Sequence, residues 1–102
     1  MKALTILIIP ILIAGCTAPP LSNQDWAKQM CEDLCKAALN QGYNLSAGPC
    51  LSNEIVDDWV CDVAHSPRQD IDNLPENQCP AYGKTARHFV EVDPECRFIR
   101  AV

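Results

Sequence analysis

The stretch SNQDWAKQMCEDLCKAALNQ, Ser22 to Gln41, decides how this chain folds. Ala27, Met30, Cys31, Leu34, Cys35 and Ala38 recur at the three- and four-residue spacing of one helix face, while Glu32, Asp33 and Lys36 point elsewhere. Ser22 or Asn23 supplies an N-cap, Ser22-x-x-Asp25 approximates a capping box, and Gly42 offers a left-handed stop. The spacing therefore predicts a helix from Ser22 to about Gln41. Cys31 and Cys35 lie one turn apart on its apolar stripe. Their Cβ atoms point the same way, so each is expected to bond a different distant partner and clamp the helix to the rest of the chain.

On the N-terminal side, Lys2 precedes an uncharged, almost wholly apolar run from Ala3 to Ala14. That run is too short to span a bilayer, which takes about 20 apolar residues, and Pro10 interrupts it. Its length suits the core of an export signal. Ile13-Ala14-Gly15-Cys16 resembles the lipobox of prokaryotic lipoproteins. The resemblance implies cleavage before Cys16, a diacylglyceryl-type lipid on the Cys16 sulfur, and a protein held at the extracytoplasmic face of the cell membrane. Pro19-Pro20 within residues 16–22 reads as an extended tether. The expected organisation is a signal peptide over residues 1–15, the tether over 16–22 and one domain over 23–102.

Of seven cysteines, the lipid would take one, leaving Cys31, Cys35, Cys50, Cys61, Cys79 and Cys96 for three disulfides. An exported chain meets an oxidising compartment where such bonds persist. A domain this small needs them, because its core alone is near the lower limit for stability. A zinc site is the rival use. It normally shows paired C-x₂₋₄-C knuckles, and only Cys31-x₃-Cys35 is close here. The formal net charge is −5, which argues against nucleic acid as a partner. The acid is concentrated in the middle third, where Glu54, Asp57, Asp58, Asp62, Asp70, Asp72 and Glu76 face only Arg68. Such a segment steers a cationic partner or simply keeps a surface soluble.

Trp59 to Ala64 alternates as a strand, with Trp59, Cys61 and Val63 on one face. Glu54-Ile55-Val56 is its expected hairpin partner across Asp57-Asp58, after a loop over Tyr43–Ser52. The long connection His65–Lys84 needs a tether, which Cys79 supplies. Ala86–Val92 and Cys96–Val102 read as two strands turning at Asp93-Pro94-Glu95. Trp26 and Trp59 are expected in the core. The fold class that follows is α+β: one N-terminal helix packed on an antiparallel sheet of three or four strands.

The densest polar cluster runs from Asp62 to Asp72. Asp62, His65, Arg68, Asp70 and Asp72, with His88 and Glu91 from a later strand, are the candidate binding residues. Arg68 is expected to pair with Asp62 or Asp70, and the loop carboxylates to be solvated. Asn44-Leu45-Ser46 is a possible glycosylation acceptor at Asn44. A metal held by Asp62, His65, His88 and Glu91 fits imidazole and carboxylate chemistry, yet His88 and Glu91 fall on opposite faces of a regular strand. Asp70-x-Asp72-Asn73-x-x-Glu76 offers oxygen ligands but lacks the spacing of a calcium-binding EF-hand. His88-Phe-Val-Glu91 resembles the histidine strand of transglutaminase-like enzymes, which need a free thiolate that this chain commits to bridges. No catalytic residue, metal or cofactor is therefore assigned. The segments GPCLSNEI, WVCDVAHSPR and HFVEVDPEC resemble small cysteine-rich exported proteins of archaea, implying an ether-lipid surface and no particular activity. The expected function is a cell-envelope lipoprotein presenting a binding or scaffolding module through residues 62–76. The alternative is a small envelope hydrolase or metal-dependent enzyme using His65 and His88.

Overall fold

In the computed structural model, which describes residues 20–102, the helix forms where its caps place it. Helix α1 spans Asn23–Asn40, and Ser22 at its N-cap accepts the Asp25 backbone N–H at 3.1 Å. At the other end Gly42 is left-handed, with φ +87°. Its N–H donates to Leu39 O and the Tyr43 N–H to Ala38 O, both at 3.0 Å, which is the paired pattern of a Schellman stop. The export signal, Cys16 and most of the tether lie outside the described residues.

The helix buries a narrower stripe than its periodicity suggests. Ala27, Cys31 and Cys35 are buried at strict four-residue spacing. Met30 is 40% exposed and Trp26 46%, so Trp26 is not a core residue as expected. The physical reason is the small size of the seam. Alanine and two half-cystines bring the helix axis close to the sheet, and residues one position off the seam fall outside the contact.

Four strands follow: β1 Cys50–Val56, β2 Trp59–Val63, β3 His88–Val92 and β4 Phe98–Ala101, in the order β1-β2-β3-β4. β1 begins inside the segment read as loop. It turns at Asp57-Asp58, where Asp58 takes φ +72°, to pair antiparallel with β2. β3 and β4 are also antiparallel, across a turn in which the Asp93 carboxylate accepts the N–H groups of Glu95 at 3.0 Å and Arg97 at 2.8 Å. β2 and β3 are parallel, from Trp59 opposite His88 to Val63 opposite Val92. The sheet is therefore mixed, not antiparallel throughout. A parallel pair requires a long return path, and the segment between β2 and β3 provides it. That segment carries two 3-10 turns, Asp70–Asn73 and Pro75–Asn77.

The core lies between α1 and one face of the sheet. Trp59, Cys61, Val63, Val90 and Val92 meet Ala27, Cys31, Cys35, Leu45 and Cys96 there. Three disulfides brace it: Cys31–Cys61, Cys35–Cys96 and Cys50–Cys79. As expected, Cys31 and Cys35 reach different partners and pin the helix to β2 and to the β3–β4 turn. Cys50–Cys79 ties the long connection to β1, helped by the Ala81 N–H donating to Asn53 Oδ1 at 3.0 Å. This connection folds over the face of the sheet opposite the helix. Val60, Cys79 and Ala86 make a second, smaller apolar cluster there.

Candidate binding site on the outer face of the sheet

Parallel pairing of β2 and β3 sets Asp62 directly beside Glu91. Alternation turns both away from the helix, toward the long connection. Glu91 is buried and held by two arginines. Arg68, from the connection, donates Nη1–H to Glu91 Oε2 at 2.7 Å, and Arg100, from β4, donates Nε–H to Glu91 Oε1 at 2.6 Å. Arg68 is fixed further by Asn73 Oδ1 at 2.7 Å and Asp72 O at 3.4 Å. A cavity of about 210 Å³ opens above these groups, walled by Val60, Cys79, Phe89 and Tyr82. Tyr82 and Phe89 meet edge to face with centroids 5.2 Å apart, and the Arg100 guanidinium lies 5.1 Å from the Phe89 centroid.

Asp62 is the anomaly of this face. Its Oδ1 is buried and, among the described residues, has no hydrogen-bond partner. Burial pushes its pKa up from the ordinary 3.8 to about 8; the neighbouring Glu91 carboxylate adds to the rise, against the pull of Arg68. Asp62 is thus mostly a neutral carboxylic acid at pH 7, able to donate one hydrogen bond.

The remaining candidates serve other ends. Asp72 is not a solvated loop carboxylate: it is 1% exposed. It accepts the backbone N–H groups of His65 at 3.0 Å and Gln69 at 2.9 Å, and the His65 ring Nδ1–H at 2.9 Å. Burial alone would raise its pKa, but these N–H donors and the imidazole hold it below the usual carboxylate range. Asp72 therefore organises the connection from within. Asp70 is exposed. Arg68 pairs with Glu91, not with Asp62 or Asp70. His88 stacks on Trp59 with ring centroids 4.6 Å apart and sits 3.6 Å from Asp58.

His65 lies beyond the end of β2 at which Val63 pairs with Val92, whereas His88 pairs with Trp59 at its start. At about 3.3 Å per strand residue, the two imidazoles lie well over 10 Å apart and share no cleft. The four-residue metal arrangement is accordingly not assembled: Asp62 and Glu91 are neighbours, His65 turns onto Asp72, and His88 is remote. Exposed Asn44 accepts the Ser46 N–H at 3.0 Å, while Leu45 between them is buried.

Arg100, Tyr82 and Phe89 were not among the sequence candidates. Alternation does put Phe89 and Glu91 on one face, so Phe89 was within reach of sequence reasoning. Arg100 required the register of β4 against β3, where it pairs with Glu91.

Gly48 supports the Asp72 knot from the other side. Its φ is +71°, and a Cβ there would lie 2.4 Å from Asp72 Oδ1 and 3.1 Å from Val63 O. Gly48→Ala is expected to destabilise the domain by about 3 kcal/mol, combining left-handed strain with displacement of a buried carboxylate from the two backbone N–H groups and the imidazole that satisfy it. Urea denaturation of the oxidised protein measures it; a loss below about 1 kcal/mol would mean that the knot yields without cost.

No protein-family model matches the chain, and no curated protein or solved structure matches it.

Proposed function

We propose that this protein is a cell-envelope lipoprotein, anchored to the membrane through lipid on Cys16, that presents a disulfide-braced binding module on the extracytoplasmic side. One observation carries the reading. Every cysteine of residues 20–102 is paired in a disulfide, which suits an oxidising compartment and leaves Cys16 as the odd thiol in its lipobox-like context. The binding surface is the outer face of the sheet. A cavity there brings an acid and two arginines together with an aromatic wall, the mixture by which small sites orient a ligand. The partner is a ligand or protein of the envelope, not a nucleic acid, in keeping with the net charge of −5.

Intact-mass spectrometry of the protein extracted from membranes tests this reading. The expected species lacks residues 1–15, carries a diacylglyceryl-type adduct on Cys16, and gains six hydrogens on reduction of its three disulfides. A chain recovered from the soluble fraction with its leader intact, or with free thiols among the six bridge cysteines, overturns it.

A further inference from the structure

We propose that the cavity on the outer face binds an organic carboxylate, clamped between the free end of the Arg100 guanidinium and the Asp62 carboxyl group, with its apolar portion against Phe89 and Tyr82. This deepens the binding-module reading and rests on it.

The Arg100 end of the cavity favours an anion. Glu91 brings one negative charge to two guanidinium groups, both within 2.7 Å of its oxygens. Asp72 and Glu91 offset Arg68 at the Asp62 end, so the positive edge is the Arg100 side, where an entering ammonium group would meet the guanidinium. A carboxylate would meet donors. Arg100 spends only Nε on Glu91; among the described residues its Nη1 and Nη2 hold no hydrogen-bond partner. These two nitrogens form the fork that receives a carboxylate through two parallel bonds.

The second donor is Asp62. Its carboxyl group lines the cavity, and in the acid form it gives its O–H to the ligand. The groups around Asp62 are Glu91 on β3, Arg100 on β4, and Arg68, Asp72 and Tyr82 on the connection, while β1 offers the half-cystine Cys50 opposite it. A cavity of about 210 Å³ fits a monocarboxylate of benzoate's size. Either a free small acid or the C-terminal carboxylate of a peptide supplies this chemistry.

Proton linkage gives the test its edge. A ligand that needs the Asp62 proton binds less well as that proton leaves. With a pKa of about 8, the bound-competent fraction falls about tenfold between pH 7 and pH 9.

The experiment uses the oxidised full-length protein, ¹⁵N-labelled, in non-ionic detergent, titrated with benzoate, with benzylamine, and with a short peptide whose C-terminus is free or amidated. Support is a saturable shift of the Asp62, Phe89, Glu91 and Arg100 amides by benzoate, with affinity dropping about tenfold from pH 7 to pH 9. Asp62→Asn, which keeps a donor but cannot ionise, should bind benzoate within about threefold of the parent and lose the pH dependence. Arg100→Met, at an exposed position, should weaken binding at least about tenfold while leaving the fold intact by the dispersion of its amide spectrum. Binding of the free but not the amidated peptide identifies a chain terminus as the source; binding of benzoate alone identifies a free acid. The proposal is overturned if benzylamine binds and Asp62→Asn abolishes that binding, because the cavity is then a cation site. It is also overturned if no carboxylate probe saturates. Neither result touches the lipid and disulfide masses on which the wider reading is tested.

Discussion

Reduction of the three disulfides is expected to unfold the domain at 25 °C instead of merely loosening it. The bridges close loops whose ends are 30, 61 and 29 residues apart in sequence. On the chain-entropy account, Cys35–Cys96 contributes roughly 4 kcal/mol, and Cys31–Cys61 and Cys50–Cys79 roughly 3.5 kcal/mol each. The loops overlap, so these values do not simply add. Their combined scale still rivals the roughly 5–15 kcal/mol net stability of an ordinary domain. The core offers little in reserve. Four of the ten buried residues packed between helix and sheet are half-cystines, and Ala27 is the only other buried side chain on the helix seam. Without the bridges, α1 would rest on a seam of small groups that buries little apolar area. Far-UV circular dichroism and tryptophan fluorescence with and without a phosphine reductant report the outcome. Trp59, at 6% exposure, should shift to the red on unfolding, while Trp26 is half-exposed already. A cooperative thermal transition surviving full reduction would mean that packing, not covalent bracing, holds the fold. Among single bridges, loss of Cys35–Cys96 should cost most, since it closes the longest loop and fastens the helix to the far hairpin.

The same feature explains what could be read in the chain and what could not. The helix, its caps, the divergence of Cys31 and Cys35, both hairpin turns and the tethering role of Cys79 all follow from local spacing, which sequence carries directly. Parallel pairing of β2 with β3 does not, because it depends on the path of residues 64–87. That path is set by a buried Asp72 and a disulfide to β1, neither of which leaves a periodic trace. The candidate site shows the same division. Asp62, Arg68 and Glu91 were identifiable as polar residues in strands and an acidic loop, and they do converge. Asp72 looked equally available and is instead consumed by backbone N–H groups and His65. Arg100 belongs to the site only because the β3–β4 register sets it opposite Glu91. Composition carries nothing of that: the acidic stretch lays its one arginine, Arg68, on Glu91 beside Arg100.

The stability of the ligand-free protein should fall as pH rises from about 4 to 8, and Asp62→Asn should abolish most of that fall. Asp62 has a folded pKa of about 8, raised first by burial and then by Glu91, against 3.8 for an ordinary aspartate. Between those values the folded chain keeps a proton that the unfolded chain gives up. Stability is then fully present below the unfolded pKa and is lost as pH climbs toward the folded one, by up to about 1.4 kcal/mol per pH unit. Because part of the carboxyl group still meets solvent, a total of a few kcal/mol is the reasonable scale. Asp72 and Asp93 act in the opposite sense. Burial would raise both, but N–H donors outweigh it: those of Gln69 and His65 for Asp72, those of Arg97 and Glu95 for Asp93. With lowered folded values, their contribution is present above the unfolded pKa and disappears as pH drops below about 4. The parent protein should therefore be most stable in mildly acidic solution, near pH 4–5. Urea midpoints taken at half-unit steps from pH 3 to 9 resolve both limbs. In Asp62→Asn the acid limb should remain, since Asp72 and Asp93 are untouched, while the decline toward pH 8 flattens and the variant exceeds the parent at neutral pH. A parent profile that is level from pH 4 to 8 would mean that Asp62 ionises freely in the folded state, by opening the connection or admitting water to Oδ1. The carboxyl proton would then be unavailable to a ligand as well.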